Sequence, residues 1–308
     1  MLIPKIIHQI YSYNSQLPHE LSSNINQLKT NNSNWEHRLY EDADIIGFIN
    51  KYYGSYVLRC FEKINPLYGA ARADLFRYLL MYQCGGVYLD IKSTSYKPLD
   101  EVLRPDDQFI LSQWRNKLGE TYQGWGLYPD LSHFPGGEFQ QWHIVARPQH
   151  PFLKSVIANV LRNIEGYRSY NQGVGKIGVL RTTGPVAYTL SILPFLKKFP
   201  YRFVDIQKDL GFSFSIYDGS SFHKSVFKNH YSTLKEPLII RSKKRFLFSL
   251  DSWENNVYSL FQYWRFLKYK EDRVIRAMKN KYNEIDVECI FEKIYRERSW
   301  DNEHNSHD

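Results

Sequence analysis

Arg72-Ala73-Asp74-Leu75-Phe76-Arg77-Tyr78 and, a little further on, Gly85-Gly86-Val87-Tyr88-Leu89-Asp90-Ile91-Lys92 decide the fold. Leu67, Ala71, Leu75, Tyr78, Leu79 and Tyr82 recur at helical spacing, Pro66 supplies a first turn, and the paired glycines end the helix. Val87-Tyr88-Leu89 has the length and composition of a short central strand. A strand that follows a helix and ends in a carboxylate is the pattern of an α/β domain, in which ligands lie at the carboxyl ends of the strands.

The flanking sequence continues that alternation. Ile3 to Tyr11 reads as a buried first strand, Pro18 to Thr30 as a surface helix opened by proline, and Trp35 to Tyr40 as a half-buried strand. Asp42 caps a helix running through Ile45, Ile46 and Ile49 toward Gly54. Gln108 to Trp114 is a further strand, Gly119 to Gly137 an ordered aromatic loop over a site, and Pro151 to Ile164 a helix. The turn Thr182-Thr183-Gly184-Pro185 leads into a helix from Val186 to about Lys198, with short strands following at Arg202–Ile206, Phe212–Tyr217 and Lys224–Phe227. The expected architecture is a mostly parallel central sheet in residues 1–252, with a basic, aromatic helical appendage over 253–308.

The chain has 308 residues, 43% hydrophobic and 16% aromatic, enough for one large core, and shows no repeat or low-complexity tract. A net charge of +8 points to an anionic partner: nucleic acid, an acidic membrane surface or a phosphorylated substrate. No zinc-finger or RNA-recognition pattern supports nucleic acid. Cys60, Cys84 and Cys289 are odd in number and far apart, which disfavours a disulfide framework and favours a reducing compartment. The apolar start Met1-Leu2-Ile3-Pro4 is too short and interrupted for a signal peptide or span, so the expected location is cytoplasmic. Trp264 and Phe266, set among lysines and arginines, allow peripheral membrane contact or packing onto the main domain.

Two readings are open at the central residues. Asp74 and Arg77, three apart on one helix face, either hold a ligand or form an ion pair bracing the helix. Asp90 is either a site carboxylate or the start of the turn Ser93-Thr94-Ser95. His8, at the end of an apolar strand, fits a hydrogen-bonded core histidine better than a ligand. Trp114, Trp125, Trp142, Tyr122 and Tyr128 are either an acceptor platform or core. The glycines of Gly173-Val174-Gly175-Lys176-Ile177-Gly178 lack phosphate-loop spacing.

Asp74, Arg77, Tyr88 and Asp90, with Ile3-Pro4-Lys5-Ile6-Ile7-His8-Gln9-Ile10-Tyr11, resemble the sugar-binding DXD region of glycosyltransferase family 32 and the large clostridial toxin glucosyltransferases. Arg147 to Phe152 and Thr183-Gly184-Pro185 extend the resemblance more weakly. It implies a GT-A type fold and a retaining glycosyltransferase that moves a hexose from a nucleotide sugar, UDP-hexose before GDP-mannose, to a glycan or polysaccharide acceptor. The same resemblance implies that Tyr11 stacks on the nucleobase, Asp74 and Arg77 hold donor-sugar hydroxyls, Tyr88 borders the nucleoside, and Asp90 reaches ribose, sugar or a metal-bound water. His230 is the matching histidine near the diphosphate or metal.

Lys92 departs from the pattern, because it stands where the family has its second, metal-binding aspartate. A divalent cation needs hard oxygen ligands, and an ammonium repels it. One reading therefore has Lys92 neutralising the departing diphosphate in place of Mn2+ or Mg2+, which makes catalysis metal-independent. The other has Lys92 in solvent and a metal on Asp90 and His230. A non-catalytic, regulatory sugar-nucleotide-binding descendant is the alternative function. Retention without a protein nucleophile needs a front-face reaction, whereas double displacement would draw on Glu138 or Asp130.

Overall fold

Ile7, His8, Gln9 and Ile10 are all buried, as in a strand covered on both faces, and they form β1 (Ile6–Ile10). In the computed structural model, which describes residues 1–11, 16–217, 231–240 and 284–304, β1 lies between β2 (Glu36–Tyr40) and β3 (Gly86–Leu89). It is parallel to both, with Ile7 opposite His37 on one side and Val87 on the other. A second, two-stranded ladder pairs β4 (Thr94–Ser95) with β8 (Phe212–Ser213). The main sheet continues through β5 (Phe109–Leu111), β6 (His143–Ala146) and β7 (Arg202–Phe203), in the order β2-β1-β3-β6-β5-β7.

Among the described strands of this sheet β6 alone runs against the others, pairing antiparallel with both β3 and β5. The mostly parallel sheet expected from the sequence is therefore present with one reversed strand. His143-Ile144-Val145-Ala146 was not among the expected strands, and its reversal brings the residues just before it to the carboxyl end of β3.

The helices are α1 (His19–Asn31), α2 (Asp42–Lys63), α3 (Gly69–Cys84), α4 (Leu99–Val102), α5 (Pro151–Glu165), α6 (Ser169–Gln172), α7 (Gly175–Thr182), α8 (Pro185–Ile192), α9 (Ile206–Leu210) and α10 (Glu284–His304). Strand alternation divides β3 between two cores. Tyr88 joins one built with α2, α3, α5 and α10, while Val87 and Leu89 join another with Leu28 of α1, Leu99 of α4 and Ile206 of α9. The sheet is thus a middle layer between helices.

Several boundaries differ from expectation. Pro66 does not open α3, because Asn65 Oδ1 accepts from Leu67 N and Tyr68 N donates to Asn65 O, which turns the chain until Gly69. Glu41, paired with Asp44 in a capping box, caps α2 instead of Asp42. The strand expected over Gln108–Trp114 contracts to Phe109–Leu111, since from Ser112 on the backbone and side chain turn to Gln140. The helix expected to Lys198 ends at Ile192, and the strands at 202–206 and 212–217 keep only their first two residues.

Gly54 breaks α2 at φ 71°. The amide of Ser55, freed by the break, donates to Asp301 of α10 at 2.7 Å. Val287, Phe291 and Ile294 of α10 are buried in the core shared with α2 and α5. This C-terminal helix is therefore packed onto the main domain. The boundary expected near 252, the basic run through Trp264 and Phe266, the strand at 224–227 and His230 lie outside the described residues. No described helix is long and apolar enough to cross a membrane.

Candidate functional site

Two adjacent side chains of β1 hold both ends of β3. His8 Nε2 donates to Gly85 O at 3.0 Å, and its Nδ1 accepts from the Tyr40 hydroxyl at 3.0 Å. Burial drives the imidazole's pKa down to about 4, so it is the neutral form that makes these bonds. Gly86 has φ 102°, and a Cβ there would stand 2.6 Å from Ile6 O, which explains the glycine beside β1. At the other end Gln9 Nε2 donates to Asp90 O at 3.3 Å, while Asp90 N donates to Trp142 O at 2.8 Å. His8 is a structural residue, as its sequence context suggested.

Arg77 is the centre of the side-chain constellation. Its Nη2 is 3.2 Å from Asp74 Oδ1, its Nη1 is 3.0 Å from Asp90 Oδ1, and Nη1 also donates to Gln141 O at 3.0 Å. The guanidinium lies over the Tyr88 ring, 4.9 Å from its centroid, and the Tyr88 hydroxyl donates to Asp90 Oδ1 at 2.9 Å. Burial alone would lower the Arg77 pKa, but Tyr88, Asp90 and Asp74 outweigh it and hold the cation charged. The sequence thus named four residues, Asp74, Arg77, Tyr88 and Asp90, that do meet in space.

Their exposure separates them. Asp74 is 2% exposed; its Oδ1 accepts from Gln141 Nε2 at 3.1 Å and its Oδ2 from Thr183 Oγ1 at 2.9 Å. Burial raises its pKa, and Arg77, Thr183 and Gln141 act against that rise. Asp90 is the accessible acid, its side chain 24% exposed, and among the described residues its Oδ2 has no hydrogen-bond donor. Gln141 and Thr183 complete the site, with the Tyr78 hydroxyl 2.6 Å from Gln141 Oε1 and 2.8 Å from Thr183 O. Thr183 was noted in the sequence as part of a turn, but its contact with Asp74 was not. Gln141 carried one signal, its place just before an apolar β run.

Lys92 is half-buried, its ammonium 3.9 Å from the centroid of Phe214. Burial lowers its pKa; Asp90 opposes that shift and Arg77 adds to it. Tyr11 lies just past β1, buried with Leu21 and Ile25 of α1 and Ile91, the residue between Asp90 and Lys92. Phe214 in turn meets Trp114, Trp125 and Trp142, while Tyr128 packs elsewhere, against the Leu131 and Val186 group.

Residues 18–110, the span containing all of Asp74, Arg77, Tyr88, Asp90 and Lys92, match the family model described as a glycosyltransferase sugar-binding region containing a DXD motif. This stretch, about a third of the chain, is similar to the DXD-region glycosyltransferases. Inositol phosphoceramide mannosyltransferase 1 of Schizosaccharomyces pombe is 29% identical over 161 residues, 51% of this chain and 43% of that protein. The initiation-specific alpha-1,6-mannosyltransferase of Candida albicans is 28% identical over 133 residues, covering 41% and 34%. Inositol phosphoceramide mannosyltransferase 3 of S. pombe is 25% identical over 232 residues, covering 72% and 56%. The chain spans about a third to just over a half of the length of these relatives.

Within this stretch the second acid of the DXD pattern is replaced by Lys92. Asp90 is paired with Arg77 at 3.0 Å and followed two residues on by Lys92, and no group of three metal-ligating side chains occurs among the described residues. Among the described residues the site thus offers one carboxylate, already shared with a guanidinium and a tyrosine hydroxyl, and that is too few ligands for a divalent cation, which needs several oxygens.

Proposed function

We propose that this protein transfers mannose, with retention, from a nucleotide-activated mannose to an acceptor hydroxyl of a glycan or glycoside. The carrying observation is the partly exposed Asp90 at the carboxyl end of β3, clamped by Arg77 and followed by Lys92, inside the family's sugar-binding region. The relatives named as mannosyltransferases move the preference from UDP-hexose to GDP-mannose. The α product in one of those names supports retention, because a nucleotide α-mannoside would keep its configuration.

In this reading Asp74 and Arg77 position the site and Asp90 receives donor hydroxyls. Tyr88, 1% exposed, braces Arg77 and Asp90 from beneath, and Tyr11, 6% exposed, supports the nucleoside side from the core and not by an open ring face. Lys92 meets the diphosphate, and the ammonium of this half-buried side chain, set against an aromatic face, gains most when negative charge develops on the leaving group. The bond from C1 to the diphosphate oxygen breaks with its electron pair on that oxygen. The acceptor oxygen bonds to C1 on the same face, and its proton passes to the departing phosphate oxygen.

Of the two carboxylates suited to double displacement one is ion-paired elsewhere, and the other is buried behind Trp114 with its second oxygen unpartnered among the described residues. Asp130 is ion-paired to Arg181 at 3.0 Å, and Glu138 accepts from Trp114 Nε1 at 2.6 Å. This supports the front-face route.

The test is a thermal-shift screen of GDP-mannose, UDP-glucose and UDP-galactose on the full chain, followed by donor turnover with and without chelator. Selective stabilisation by GDP-mannose and chelator-resistant turnover are expected. Stabilisation by a UDP-hexose alone overturns the donor assignment, and chelator-sensitive turnover overturns the role of Lys92. Selective binding with no turnover under any metal would establish the regulatory alternative instead.

A further inference from the structure

The aromatic loop that the donor reading leaves unused begins where Lys92 ends. Phe214, beneath the Lys92 ammonium, contacts Trp114 edge-on at 5.2 Å and Trp125 at 5.9 Å. Tyr122 closes the cluster, 4.8 Å from Trp114 and 5.1 Å from Trp125. Core aromatics would be covered, yet Trp125 is 39% exposed and the neighbouring Leu127 54%. These rings form a surface continuous with the donor crevice.

That surface is held rigid by its own loop. Asn116 Nδ2 donates to Trp125 O at 2.7 Å and to Gly136 O at 3.0 Å, while Gln113 Nε2 donates to Pro135 O and Gly137 O, both at 2.9 Å. Gly126, at φ 73°, lies against Trp114 and Glu138 so closely that a Cβ would stand 2.7 Å from the indole. Glu138 anchors Trp114 from behind. Preorganised rings of this kind lose little entropy on binding.

Beside the rings, Trp114, Tyr122, Trp142, Arg115, Asp205 and Gln207 line a narrow cleft of about water size. Arg115 makes only long ion pairs, 3.8 Å to Asp205 and 3.9 Å to Glu120, Asp205 Oδ1 accepts from Lys208 N, and the buried Trp142 Nε1 has no hydrogen-bond partner among the described residues. Aromatic faces edged by a loosely paired guanidinium and carboxylate match one ligand chemistry: a pyranose ring, apolar on its C–H faces and rimmed by hydroxyls.

We propose that this cluster is the acceptor subsite, with a pyranoside laid on the exposed face of Trp125 and its hydroxyls turned to Arg115 and Asp205. The proposal rests on the donor reading for its direction, since Lys92 on Phe214 joins the two sites. Transfer from GDP-mannose to methyl α-mannopyranoside by the full chain tests it, with donor hydrolysis and the donor-induced thermal shift followed alongside. Trp125→Ala should raise KM for the mannoside about 10-fold or more and leave hydrolysis and the thermal shift unchanged. Trp125→Phe should recover most of the loss. An unchanged KM, or donor hydrolysis by the wild type without saturation by the mannoside, overturns the subsite. Saturation-transfer NMR of the mannoside needs no donor turnover and separates the two readings. Should the donor assignment fail, a mannoside signal lost in Trp125→Ala still supports the subsite, and a signal that is unchanged or absent in the wild type overturns it.

Discussion

Arg77 Nη1 lies 3.0 Å from Asp90 Oδ1, so one guanidinium ties the middle of α3 to the end of β3. The same group holds Asp74 and the carbonyl of Gln141. Asp74 and Arg77 are almost wholly covered, whereas Asp90 reaches solvent. The clamp therefore fixes the one acid left accessible for a ligand.

Removing the clamp strands two carboxylates. Arg77→Ala leaves the covered Asp74 without its cation and is expected to destabilise the fold by about 3–5 kcal/mol. Urea unfolding measures this, and a loss under about 1 kcal/mol would show that Asp74 is satisfied by Gln141 and Thr183 alone.

Lys92 is predicted to act on turnover and not on stability. Lys92→Ala should lower donor turnover by about 100-fold or more, the scale of a lost charge-stabilising donor. Lys92→Asp restores an acid two residues after Asp90 and should make residual turnover dependent on added Mn2+ or Mg2+. Metal titration of that variant beside the wild type is the measurement, and equal metal responses would sink the assignment.

Burial pushes the Glu138 carboxyl up to about 7, from an ordinary value of 4.5. Between those values the folded protein keeps a proton that the unfolded chain has lost, so this group's contribution to stability falls as pH rises from about 4.5 to 7. Buried His8, His143 and His150 work in the opposite sense: burial lowers them to about 4, 3 and 3, so their contribution grows as pH rises to about 6.5. The total is mixed, but the difference between wild type and Glu138→Gln isolates the glutamate. Relative to wild type the variant should gain roughly 3 kcal/mol between pH 4.5 and 7, an upper figure for full burial. Denaturation at three pH values checks the sign, and a flat difference refutes it.

Asp301 is predicted to cap the second half of α2. Asp301→Ala should cost about 1 kcal/mol, the usual worth of such a cap. Gly54→Ala should cost more, since its φ of 71° is unfavourable for alanine and a Cβ would stand 2.9 Å from Asp301 Oδ2. Thermal unfolding ranks the two, and the reverse order would refute this account of the break.

The legible part of the site was the part written locally. Asp74 and Arg77 share a helix face by spacing, the two glycines stop that helix, and Asp90 follows an apolar strand. Pro66 misled because the Asn65 side chain turns the chain before the helix starts. His143–Ala146 passed unnoticed because four buried residues carry no period that separates strand from other core.

By itself the sequence determined the α/β class, the helix–glycine–strand unit and the residue types gathered at its end, because these follow from periods and turn chemistry over a few residues. Only the tertiary structure decided which acid is open and which is covered, since Gln141 and Thr183 reach Asp74 across separations of 67 and 109 residues. It likewise decided that Lys92 rests on Phe214 and that β6 runs backward to bring Gln141 and Trp142 to Asp90. Such contacts are set by how layers pack, and no local pattern encodes them.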